Sequence, residues 1–239
     1  MFPGLTVLTD VSPAQWLLDR LWPRGAGDGP MRVGCLVPEG YPAYGRLLHP
    51  ARSAEPDGPD RWRWSDIAAV QQRRMDPEIR FNELVGWEGT AVPPWPYQAP
   101  DDGSLDETAC HALTEILPAF TTRPQSCWFC FWDGYGWPEL PAHGEGPPRV
   151  PLAYGIDCLL LHGPVTAACN FRSGRWSQSP TAWWPDDRAW CVATDVDGFS
   201  TYIAGTQECI GALASDPRLE IVPVQPGQAV DPSPYLPRH

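Results

Sequence analysis

Hydrophobic and polar positions alternate most regularly between Ser179 and Gly205, in the run SPTAWWPDDRAWCVATDVDGFSTYIAG. With Asp197 and Gly198 as the two-residue loop of a type I′ turn, Val196 pairs with Phe199, Thr194 with Thr201 and Val192 with Ile203. Those pairs share one face. Asp195 with Ser200, Ala193 with Tyr202 and Cys191 with Ala204 share the other, so turn chemistry and side-chain pattern demand the same register. The stretch reads as a β-hairpin entered through a loop, Trp183-Trp184-Pro185-Asp186-Asp187, in which one tryptophan is expected inward and the other outward.

Helical spacing marks other segments. Ser12-Pro13-Ala14-Gln15 reads as a capping box opening a helix over 12–22, with Trp16, Leu17 and Leu21 on one face. Ser65 is placed to cap a helix over 66–74, and residues 81–85 read as a further short helix. Ser104-Leu105-Asp106-Glu107 is a second capping box, opening a helix over 105–117, and Thr206 is placed to cap one over 207–214. Strands are expected at 32–37, 44–49, 128–132, 149–152, 158–162 and 219–224. The fold predicted is α+β, a mainly antiparallel sheet with short helices packed on it.

The stretch TAVPPWPYQAP sustains neither helix nor strand, which makes 89–103 the candidate linker. The chain reads as one globular domain over 1–239 with a loose tail at 225–239. A partial likeness between Ala43–Pro50 and Ala153–Pro164 leaves open two related halves, about 1–90 and 104–224, against a chance match.

Composition narrows the chemistry. The chain has 239 residues, 43% of them hydrophobic, enough for a sizeable core. All 17 basic residues are arginine. The absence of lysine removes Schiff-base and pyridoxal chemistry and the P-loop phosphate lysine. A net charge of −12 and no basic run longer than Arg73-Arg74 argue against nucleic acid and for a basic protein partner. The N-terminal run MFPGLTVLTD has no signal-peptide pattern and no long apolar run follows, so the expected location is cytoplasmic, with no membrane partner.

The eight cysteines do not form a ligand pattern. In Cys127-Trp-Phe-Cys130 the strand alternation turns the two sulfurs to opposite faces, and Cys35, Cys158 and Cys191 also fall in strand-like runs. All eight are read as reduced, with no metal and no cofactor. Asp195 and Asp197 are weighed as a divalent-cation pair, but the turn and a cross-strand bond to Ser200 account for both.

Taken together, P-x-x-WWPDDRAWCVATDVD, the upstream FWDGYGW and the early YGRLLHPA make the chain resemble a family of hypothetical actinobacterial proteins over about residues 33–224. The resemblance implies no activity, cofactor or catalytic residue.

Two functional readings follow. The first is a cytoplasmic acidic interaction protein, of the immunity type that neutralises or sequesters a protein partner, with Trp183, Trp184, Asp186, Asp187 and Arg188 as the contact residues. The second is a small-molecule binder or enzyme with an aromatic pocket, for which His49, Trp128, Trp132 and His162 are the candidates and a histidine the general base. A flat aromatic patch would favour the first, and a deep pocket holding His49 or His162 the second.

Overall fold

The computed structural model describes residues 3–23, 31–53, 61–86, 97–137, 145–152, 155–173 and 176–230. Nine strands form its main sheet, and every pair is antiparallel. They are β1 (Thr6–Val7), β2 (Ala43–Leu48), β3 (Cys127–Trp132), β4 (Val150–Leu152) and β5 (Ile156–Gly163), followed by β6 (Ala182–Pro185), β7 (Cys191–Thr194), β8 (Ser200–Gly205) and β9 (Ile221–Pro223). The spatial order is β1-β5-β3-β6-β7-β8-β2-β9, with β4 on the same side of β5 as β1. The helices are α1 (Gln15–Leu18), α2 (Trp64–Val70), α3 (Phe81–Leu84), α4 (Glu107–Ile116) and α5 (Gln207–Ser215). The expected α+β fold, a mainly antiparallel sheet carrying short helices, is the fold observed.

The hairpin has the register its sequence demands: Cys191 faces Ala204, Val192 faces Ile203, Ala193 faces Tyr202 and Thr194 faces Thr201. Its turn is different. Neither Asp197 nor Gly198 has positive φ, and the closing bond runs from Gly198 N–H to Asp195 O at 2.9 Å. Asp195 also accepts the Asp197 N–H, so the turn is centred one residue early, on Val196-Asp197. Long-range packing explains the shift. Val196 belongs to one core cluster and Phe199 to another, while Gly103 donates its N–H to Gly198 O.

Strands β6, β7 and β8 are buried along their whole length, because the sheet is covered on both sides. One face carries Leu47, Phe129, Leu161, Trp183, Val192 and Ile203 under α4 and α5. The other carries Tyr44, Cys130, Leu160, Trp184, Cys191 and Tyr202 beneath residues 14–21, 33–37 and 224–230. A third cluster joins α2 and α3 to Leu48 and Phe199 at one end. Cys127 and Cys130 lie in opposite clusters, as the alternation requires.

Other expectations need correction. Trp183 and Trp184 lie in β6, paired on both edges, and not in a loop. Residues 33–35 form a 3-10 turn, not a strand, because the Trp22 ring packs against Gly34 and the backbone bonds to Pro226 and Gln228. The first helix is only α1 preceded by a 3-10 turn over Ser12–Ala14, and Asp10, not Ser12, accepts the local hydrogen bonds. α4 is capped by Asp106 instead of Ser104, whose hydroxyl is used by Ser179 N–H. The Glu220 carboxylate, not Ser65, caps α2. Within the tail, residues 225–230 are tied back through Gln228 O and Val230 N–H; 231–239 lie outside the described residues. So do 89–96 of the linker, whose residues Tyr97–Gln98 pair with Arg52–Ser53.

Candidate functional site

The connection from β6 to β7 is held from several directions. Arg188 N–H closes a turn onto Pro185 O at 2.8 Å, and Arg188 sits in the left-handed region at φ 57, a conformation that costs a non-glycine residue about 1 kcal/mol or more. Asp187 fixes the loop to the chain that follows the 3-10 turn Leu117–Phe120 at the end of α4. Its carboxylate accepts from Thr121 Oγ1 at 2.7 Å and from Thr122 N and Oγ1 at 2.7 and 2.8 Å, and more weakly from Ala189 N. Burial alone would raise its pKa, but these hydrogen bonds outweigh burial and hold the carboxyl below its usual range.

Beneath the loop a stack leads into the core. The Arg188 guanidinium lies 5.1 Å over the Trp16 ring, and Trp16 meets Trp184 edge-on at 5.8 Å. Tyr41 donates its hydroxyl to Arg188 O at 2.7 Å. Both Trp183 and Trp184 are fully buried, against the expected inward and outward split. Of the five contact candidates, only Asp186, Asp187 and Arg188 are exposed.

Asp186 faces the second candidate set. Its N–H bonds Ser126 O at 2.9 Å, and the half-buried Trp128 donates its indole N–H to Asp186 Oδ1 at 3.2 Å. The Trp128 and His162 rings lie 4.5 Å apart, facing each other across β3 and β5. His162 Nε2 is 2.9 Å from Ser126 Oγ. The structure thus brings Trp128, His162 and Asp186 into one corner, with Ser126, which sequence reasoning missed because a serine one residue before a strand carries no motif.

The other candidates lie apart. Trp132, at the far end of β3, packs on Tyr135 at 4.9 Å. His49 is fully buried, its Nδ1–H donating to Asp101 O at 3.1 Å and its Nε2 accepting from Thr201 Oγ1 at 2.9 Å. Burial pushes its pKa down to about 4, so the ring is neutral. It is a core group and meets no pocket candidate. Among the described residues no cluster of His, Cys, Asp and Glu has the makeup of a metal site, and no helix is long and apolar enough to cross a membrane.

A cleft of about 200 Å³ is lined by Leu48, Arg61, Arg63, Arg218 and Glu220, among others. Its arginines are largely committed: Arg61 pairs with Asp106 at 2.8 Å, Arg218 with Glu115 and Asp216 at 2.6 and 2.8 Å, and Arg63 donates to Leu219 O. Those three acids and Glu220 outnumber the three guanidiniums, so the cleft is a structural ion-pair network more than an anion receptor.

No protein family, curated protein or solved structure matches the chain.

Proposed function

We propose that the chain is a binding protein that takes a basic segment of a protein partner, of the kind an immunity-type protein sequesters, at the Trp128–Asp186 corner. The observation that carries this reading is the exposed Asp186 carboxylate hydrogen-bonded to the half-exposed Trp128 indole at 3.2 Å. A carboxylate beside an aromatic ring suits an arginine or lysine head, through a charge-assisted hydrogen bond and a cation–π contact. The net charge of −12 adds long-range steering toward such a partner. Asp187 and the Arg188–Trp16 stack keep the corner rigid, which limits the ordering cost of binding.

The test is titration with an arginine-rich peptide and its glutamate counterpart, read by tryptophan fluorescence and calorimetry. Binding of the arginine peptide alone, weakening with salt and about tenfold weaker in Asp186→Asn, is the expected result. Glu78→Gln, an exposed site on the α2–α3 connection, removes the same charge elsewhere. Equal affinities for the two variants would reduce the effect to net charge and defeat the reading.

The 2.9 Å Ser126–His162 contact favours a second reading, in which the histidine is the general base of a serine nucleophile. Among the described residues no carboxylate orients the other ring nitrogen. A fluorophosphonate adduct on Ser126 that disappears in His162→Gln is the outcome this reading requires, and an unlabelled protein rejects it.

A further inference from the structure

Two of the eight cysteines differ from the rest in their surroundings. Cys110 stands in the first turn of α4, and Cys169 ends the 3-10 turn Val165–Cys169 packed against that helix. Their sulfurs are 2.9 Å apart, and both line a small cleft with Glu107, Arg172, Gln178 and Ser179. A disulfide needs ~2.05 Å between sulfurs, so a small side-chain rotation closes the remaining distance. Cys169 is half-buried, whereas Cys110 is almost enclosed.

We propose that Cys110 and Cys169 are an oxidisable dithiol, which hydrogen peroxide converts to a disulfide. Cys169 is the attacking sulfur. It is the more accessible of the two, and Thr114 Oγ1 lies 3.7 Å from it. The hydrogen bond from the Cys110 thiol lowers its pKa, with help from Thr114, His111 and Arg172, while the same bond and burial raise that of Cys110. The Cys169 thiolate attacks one peroxide oxygen, the O–O bond breaks, and the leaving hydroxide takes a proton to become water. The Cys169 sulfenic acid is then attacked by Cys110 sulfur. An S–S bond forms, and the sulfenic hydroxyl departs with the Cys110 proton as a second water. Two thiols are oxidised by two electrons and one peroxide is reduced. Burial raises the thiol pKa of Cys127, Cys130, Cys158, Cys191 and Cys209, which keeps them protonated and unreactive.

The experiment is exposure of the reduced full-length chain to hydrogen peroxide, followed by intact mass and non-reducing peptide mapping. The expected product has lost two hydrogen atoms, carries one Cys110–Cys169 cross-link and melts several degrees higher, because the bond closes a loop spanning 59 positions. Cys169→Ser should yield no cross-link. Cys110→Ala should stop at a Cys169 sulfenic acid that dimedone traps. If peroxide leaves both thiols open to alkylation after denaturation, or links other cysteines, the proposal fails. That measurement on the wild-type chain needs no variant to fold.

Discussion

His49 accepts the end of a buried hydroxyl chain, Thr194 Oγ1 to Thr201 Oγ1 at 2.7 Å and on to Nε2 at 2.9 Å, while Asp101 O takes the proton on Nδ1. Burial outweighs the Asp101 carbonyl and the Asp101 and Asp106 carboxylates, which favour the charged ring, so burial decides its protonation. With a folded pKa of about 4 and an unfolded value of ~6.5, the neutral ring's contribution is complete above pH 6.5. As pH falls toward 4, the unfolded chain takes up a proton that the folded chain refuses. About 3 kcal/mol is lost over that window, and the loss levels off below it. Urea midpoints of wild type and His49→Gln, compared from pH 8 to 4, should converge in favour of the variant below pH 6.5. A pH-independent gap would mean that the folded and unfolded rings titrate alike, so that burial does not hold the folded ring neutral.

Trp183 stacks on Phe129 at 6.1 Å and meets Trp190 edge-on at 5.2 Å, while Trp184 meets Trp16 on the opposite face. Each truncation therefore opens a cavity. Trp183→Ala and Trp184→Ala should each cost about 3–5 kcal/mol, whereas Asp186→Asn should stay within about 0.5 kcal/mol. Thermal or urea unfolding checks all three, and a mild loss in either tryptophan variant would place that ring at the surface. Strand alternation in the sequence correctly sends neighbouring side chains to opposite faces. It does not say that both faces are covered, since that depends on α4 and on residues 14–21, far away along the chain.

At the scale of elements, local chemistry succeeds where partners lie within a few residues. Thr206 caps α5 by accepting from Cys209 N–H at 3.1 Å, as its position predicts. It fails where a distant group takes the same role: Ser104 is diverted to Ser179, and Glu220 reaches α2 from 156 positions away. The hairpin turn belongs to the second kind. Its register is local, but its conformation is set by Gly103, which has φ +65 and whose added Cβ would lie 2.2 Å from Val196 O. Both the left-handed backbone and the clash oppose a side chain there, so Gly103→Ala should lose about 1–3 kcal/mol. Gly198, at ordinary φ and with an added Cβ 3.1 Å from Asp195 Cβ, should tolerate alanine better. Chemical denaturation of the two variants decides, and the reverse order would return the turn to the type I′ form.

At the scale of the whole molecule, segments far apart in sequence complete one sheet. β2 lies between β8 and β9, and β1 pairs with β5, so strands from before residue 90 and after residue 104 are hydrogen-bonded into the same sheet. The face bearing Trp184 and Tyr202 is closed by residues 31–37 held against 224–230. Val33 N–H and Gly34 N–H bond Gln228 O and Pro226 O at 3.0 and 2.8 Å, and Val230 N–H bonds Met31 O at 2.8 Å. None of these bonds was legible in the sequence, because a polar, proline-rich run offers no periodicity and its partners are nearly 200 residues away. Val224 and Val230 are the buried anchors of this cover. Val224→Ala with Val230→Ala should cost roughly 2 kcal/mol per site from lost apolar burial. Because they fasten a cover and not the sheet, their loss should speed amide exchange at Val33 and Gly34 before it reaches Val192 or Ile203. Uniform acceleration across all four amides would mean that cover and sheet open together, as a single cooperative unit.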